Sequence, residues 1–105
     1  MSEITTFYLG PNGLPTIDKG PNEELPYSWD FEDLLPADVG TIAEVLEITL
    51  AEGLAKTGTE DFDDQHVTAT LKGGAVDQLL RASCRIKTTL NFTLERAIEL
   101  QIVPR

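Results

Sequence analysis

Thiol and imidazole chemistry is almost missing from this 105-residue chain, which has one cysteine, Cys84, and one histidine, His66. A lone cysteine closes no internal disulfide, so stability must come from packing. A lone histidine cannot supply the histidine pair that most zinc sites use. Long apolar runs are also missing: no stretch approaches the roughly 20 residues of a membrane span. The opening "MSEITTFYLG" lacks the basic flank and apolar segment of a secretory leader. The expectation is a protein assembled in a reducing cytoplasm, with no membrane contact. Cations are scarce too: 8 lysines and arginines stand against 18 acids, for a formal charge of −10. Phosphate backbones need neutralising cations, so nucleic acid is not an expected partner.

The charge is unevenly placed. Residues 1–64 hold 15 acids against Lys19 and Lys56, a net of −13, and residues 65–105 hold 3 acids against 6 cations, a net of +3. The sum is −10, as required. An acidic surface aids solubility. A two-signed molecule also suits packing against a neighbouring copy or a partner.

Residues 1–26 read as an arm. Pro11, Pro15, Pro21 and Pro26 fall there with Gly10, Gly13 and Gly20, a spacing that works against helix and central strand alike. Ile4, Phe7, Tyr8, Leu9, Leu14, Ile17 and Leu25 are scattered through it. Disordered tails are poorer in apolar groups, so the arm is expected to lie against a surface, its own or another chain's. The expected organisation is an extended docking arm over 1–20 and one domain over 21–105. Deleting residues 1–17 should then leave that domain folded.

From Thr41 onward the pattern is periodic. In "TIAEVLEITL", Ile42, Val45, Leu46, Thr49 and Leu50 fit a helical stripe, while Ile42, Leu46, Ile48 and Leu50 fit a strand. "AEGLAKTGTEDFDD" holds Gly53, Gly58 and an acid cluster, and reads as a loop. "HVTATL" alternates Val67, Ala69 and Leu71 with threonines, as a short strand does. "KGG" reads as a hairpin turn. In "AVDQLLRASCRIKTTL" a helical face exists, but Leu80, Ala82, Cys84, Ile86 and Thr88 alternate with Arg81, Ser83, Arg85 and Lys87. That alternation favours a strand with one solvated face. "LNF" supplies a turn through Asn91, and "TLERAIELQIV" alternates Ile98, Leu100 and Ile102 with Ala97, Glu99 and Gln101. The fold class expected is all-β, a small antiparallel β-sandwich.

Candidate chemistry is thin. Cys84 falls on an apolar face and reads as a core residue. The cluster Asp61, Asp63 and Asp64 offers oxygen ligands but lacks the glycine and distal glutamate of a calcium loop. Gly73-Gly74 is too short to cradle a phosphate. Asn91-Phe92-Thr93 matches a glycosylation sequon, which matters only in a secreted chain. No acid pair stands in an apolar context suited to general acid–base work. No cofactor, no metal and no enzymatic activity are expected.

Several short motifs, taken together, give the chain a known relative. Lys19, Pro21, Glu23, Leu25 and Tyr27 are followed by Asp30-Phe31 and Leu34-Leu35, then by Gly40-Thr41-Ile42. Leu71, Gly73 and Gly74 come next, then Ile86 and Thr88, then Glu95-Arg96. In this order and spacing the chain resembles the bacteriophage fiber–tail adaptor proteins, small Ig-like virion proteins, over roughly residues 18–103. Phe31 stands where the family usually has tryptophan, and Asn91 where glycine is common. The resemblance implies strands over 41–50 and 76–90 and an Ig-like β-sandwich. It also implies a virion component, a multi-copy and non-enzymatic adaptor that joins tail components or seats tail fibers. Its partners would be other tail, connector or fiber proteins and further copies in a ring. A capsid decoration or cement protein of similar fold is the alternative. The residues expected to bind a partner are Phe7, Tyr8, Leu9, Leu14, Ile17, Pro21, Leu25, Tyr27 and Trp29.

Overall fold

The structure, a computed structural model, describes residues 13–104 together with the backbone of residues 8–9. The elements are β1 (Tyr8–Leu9), β2 (Pro15–Lys19), β3 (Leu25–Asp30), β4 (Ile42–Leu50), β5 (Leu54–Phe62), β6 (His66–Gly73), β7 (Leu79–Thr88) and β8 (Thr93–Ile102), with one 3-10 turn over Glu32–Leu34. Five strands form one sheet in the order β1-β2-β8-β7-β4, and three form the other in the order β3-β6-β5. All pairings are antiparallel except β2 with β8, which run parallel. The all-β expectation holds, as a two-sheet sandwich.

Period-2 alternation builds the core. On β7, Leu80, Ala82, Cys84, Ile86 and Thr88 are buried, and on β8 so are Ile98, Leu100 and Ile102. Facing them from the smaller sheet are Tyr27 and Trp29 of β3, Val67, Ala69 and Leu71 of β6, and Phe31 just past β3. The Trp29 indole Nε1 donates to the Ala82 carbonyl oxygen at 3.0 Å, a hydrogen bond from one sheet to the other inside the core.

β4 explains its own ambiguity. Its register runs Ile42↔Thr88, Glu44↔Lys87, Val45↔Ile86, Glu47↔Arg85, Ile48↔Cys84 and Leu50↔Ala82, with irregularities between Ile42 and Glu44 and between Val45 and Glu47. Ala43 and Leu46 are the extra residues, so the inward positions are Ile42, Val45, Ile48 and Leu50. Two bulges stretch the spacing from two residues to three and imitate a helical stripe. Leu46, a member of both sequence patterns, is 41% exposed.

Three expectations need correction. Residues 54–62, read as loop, form β5: an edge strand needs little apolar content, and only Leu54 of it is buried. Thr57 pairs with Thr70 and Asp61 with Thr68, so two extra residues bulge out at Gly58, whose φ is 71°. Gly73-Gly74 is not a hairpin turn, because β6 and β7 lie in different sheets; it carries the chain across the sandwich. Residues 15–19, assigned to the arm, are a strand of the larger sheet with Thr16 and Lys19 fully buried. Pro15 is tolerated as the first residue of β2, and Pro21 falls beyond its end, so the prolines punctuate the strand instead of breaking it.

At the crossing, Gly74 N donates to the Gly53 carbonyl at 3.0 Å. Gly73 has a φ of 97°, and a Cβ there would lie 2.1 Å from that same carbonyl oxygen. Gly73→Ala is therefore expected to cost about 2–3 kcal/mol, from left-handed strain plus a backbone clash. Urea unfolding monitored by tryptophan fluorescence measures this; a midpoint equal to wild type would show that the two loops separate freely.

Candidate functional site

The junction between the arm and the sandwich is built around Lys19. Its neighbour across the parallel ladder is Ile102, so the side chain enters the sandwich at its end. Nζ donates to the carbonyls of Gly20 at 2.8 Å and Gly73 at 2.7 Å. Burial holds the ammonium below the ordinary lysine range, while the charge of Glu23 works the other way. The Glu23 carboxylate accepts from Gly20 N at 2.6 Å, and Val103 N donates to the Lys19 carbonyl at 2.9 Å. One side chain thus ties β2, the β2–β3 turn and the end of β6 together. The spacing of Lys19, Gly20 and Glu23 has a direct mechanical meaning: lysine pins the strand and glutamate closes the turn after it.

The residues expected to meet a partner separate into groups. Tyr27 and Trp29 are both 0% exposed and belong to the core of their own domain. Ile17 and Leu25 are half-buried and pack against that core. Leu14 and Pro21 are half-buried. Tyr8 and Leu9 lie on β1, the outermost strand, paired antiparallel with Thr16 and Pro15. Phe7 lies outside the described residues. Beside β2, a half-open cleft of about 230 Å³ is lined by Pro15, Ser28, Asp30, Arg96 and Ile98. It runs along the edge of β3 that no strand covers among the described residues. The buried Ser28 hydroxyl has no hydrogen-bond partner there. Arg96 closes one end of the cleft, donating to the Asp30 carbonyl at 3.0 Å and pairing with Asp33 at 2.9 Å.

The uneven charge along the sequence is largely matched within the fold. β7 presents Arg81, Arg85 and Lys87 on its outer face. In register beside them stand Glu44 and Glu47 of β4, and Glu95 and Glu99 of β8. Arg85 reaches Glu47 at 3.4 Å. The cations of β7 thus stand beside carboxylates of their own chain.

His66 and Cys84 stay apart in role as well as in place. His66 opens β6 just after the β5–β6 turn, its Nδ1 3.2 Å from Asp63 and its Nε2 3.5 Å from Asp30. Asp63 accepts from the backbone N–H of Gln65 at 2.9 Å and of His66 at 2.7 Å, and the Gln65 bond leads in holding its carboxyl low. It caps a turn. Burial, reinforced by Glu60 and Glu95, pushes the Cys84 thiol up to about 12, so at neutral pH it carries almost no nucleophilic thiolate. Native protein is accordingly expected not to react with a thiol-specific aromatic disulfide at pH 8, and to react fully in denaturant. Rapid labelling of the native chain would contradict this placement.

Sequence reasoning passed over the exposed apolar residues Leu90, Phe92 and Phe62, which are 52%, 51% and 46% exposed. The available signal was two large apolar residues flanking a turn asparagine, where turn chemistry requires neither.

Comparison with known proteins agrees with the early motifs. A family model described as podophage GP4 fiber-tail adaptor protein gp77 matches residues 19–101. The match runs from the pinning lysine to the penultimate residue of β8. No curated protein and no solved structure matches the chain. The family model covers well over half of the sequence, and the chain belongs to that family. It is a structural component of the phage virion at the tail, where it interacts with tail and fiber proteins.

Proposed function

We propose that this member of the fiber–tail adaptor family is a multi-copy, non-enzymatic adaptor on an Ig-like scaffold, joining tail components or seating tail fibers. The observation that carries the reading is the family match, which begins at the residue that pins β2 into the sandwich. The strand order supports the Ig-like description: β3-β6-β5 on one side and β8-β7-β4 on the other follow the B-E-D and G-F-C sheets of an immunoglobulin domain. The buried, protonated Cys84 and His66, held against the turn aspartate Asp63, support a role without catalysis.

Docking falls to the arm and the edge it reaches: Phe7, Tyr8, Leu9 and Leu14, with Ile17, Pro21 and Leu25 at the junction. Tyr27 and Trp29 hold the scaffold that presents them. Edge strand β1 and the uncovered edge of β3 give a neighbouring copy two places to add backbone hydrogen bonds, and head-to-tail use of such edges closes a ring. Negative-stain imaging of particles made without this chain tests the role. Tails without fibers on intact heads support it, whereas fragile heads bearing complete tails would replace it with a shell function.

A further inference from the structure

The end of the sandwich far from Lys19 carries a surface that folding does not account for. Three segments meet there: the β7–β8 turn, the connection from Phe31 to Thr41, and the β5–β6 turn. Thr89 N donates to the Thr41 carbonyl at 2.9 Å, and Ile42 N donates to the Asp64 carbonyl at 3.0 Å. Residues 41–42 therefore strap the hairpin tip to the neighbouring turn. Leu90, Phe92 and Phe62, on these segments or at their edge, are three of the five large apolar side chains exposed among the described residues. A hairpin tip calls for residues that tolerate positive φ, and Asn91 alone meets that need, with φ 71°. Phe92 closes the turn through its backbone, with Thr88 N donating to its carbonyl at 2.8 Å, but turn chemistry asks for no large apolar side chain at 90 or 92, and both leave apolar surface in water.

The surroundings of these three are acidic. Glu32, Asp33, Asp38, Asp61, Asp63, Asp64 and Glu95 are all exposed on the same segments or beside them. The nearest cations are engaged: Arg96 pairs with Asp33 at 2.9 Å, and Lys87 stands in register with Glu44.

We propose that this tip is a second docking surface, fitted to a different protein whose receiving site is an apolar socket rimmed by lysine and arginine. It rests on the adaptor reading and supplies the partner chemistry for it. An apolar centre inside a charged rim is the anatomy of a specific interface: the centre supplies affinity, the rim steers and orients. A second copy of this chain is a poor occupant. Tip-to-tip association would set two carboxylate rims against each other, and the row of cations on β7 already stands beside glutamates of its own chain.

The test uses the full chain, particles assembled without it, and isolated tail fibers, with binding measured at low and high salt. Leu90→Ser/Phe92→Ser is expected to weaken binding to one of these two targets by about thirty-fold or more, as hot-spot anchors do. Circular dichroism should show the same β signal and melting as wild type. Asp38→Asn/Asp61→Asn/Asp64→Asn, at exposed sites, should slow association with that target and flatten its salt dependence. Val76→Ser, exposed at the opposite end, should bind as wild type does. The proposal is overturned if Leu90→Ser/Phe92→Ser binds both targets like wild type, or if it changes only self-association in sedimentation, which would make the occupant a second copy. Wild-type protein that binds neither target would sink the adaptor reading and this proposal with it, an outcome distinct from failure of the variant alone.

Discussion

Trp29→Ala lowers the unfolding free energy by about 4 kcal/mol, the middle of the range for removing a buried aromatic. The side chain is 0% exposed between the sheets, so its loss leaves a cavity that two hydrogen-bonded sheets cannot close. It also deletes the bond from Nε1 to the Ala82 carbonyl. A domain of this size has roughly 5–15 kcal/mol in all, so the variant sits near the edge of folding at growth temperature. Trp29→Phe separates the two contributions. It keeps most of the apolar volume, forfeits the cross-sheet bond, and is expected to cost about 1–2 kcal/mol. Urea titrations followed by circular dichroism read both variants, since the fluorophore itself is removed. A loss below about 1 kcal/mol in Trp29→Ala would mean that Tyr27 and Phe31 close the gap between the sheets without it.

The same residue shows what the sequence made legible. Tyr27, Trp29 and Phe31 alternate, and alternation on a strand puts side chains on one face; what alternation does not say is whether that face belongs to this domain or to a neighbour. Only the partner strand decides, and β6 brings Val67, Ala69 and Leu71 into register with β3. β7 and β8 were readable because their pairing is free of bulges, so pattern and geometry coincide over ten residues each. β4 was ambiguous for the opposite reason: Ala43 and Leu46 are extra residues, and a bulge changes the period without changing the strand. β5 was hidden because an edge strand with one buried residue leaves no apolar pattern, and Gly58 sits at a bulge that looks like a breaker. At the docking junction the motif residues were visible but their mechanics were not. Nothing in the sequence marks Lys19 as buried, and its burial depends on the Gly73 carbonyl 54 positions away.

The place of Lys19 and its strand decides where the arm can be cut. Removing residues 1–19 deletes β1 and β2, and the loss is expected to reach about 5 kcal/mol. β2 contributes a ladder of four register pairs to β8, each hydrogen bond worth roughly 1 kcal/mol net. It also covers the β8 edge beside Leu100 and Ile102, and carries the lysine that ties Gly20 to Gly73. The chain should then be partly unfolded at 25 °C, with exposed β8 edges prone to aggregate. Removing residues 1–7 stops short of every described strand and should leave the unfolding free energy within about 0.5 kcal/mol of wild type. If the arm docks, this shorter deletion still abolishes incorporation into particles, because affinity is lost while the fold is kept. Comparing the two truncations by circular dichroism and by immunoblot of purified particles separates the roles of the segment. Normal incorporation of the 1–7 deletion would take Phe7 out of the docking set and leave docking to Tyr8, Leu9 and Leu14, the acidic tip or the uncovered edge of β3. An unfolded 1–7 deletion would instead make the whole N-terminal segment part of the sandwich, and the boundary between arm and domain would disappear.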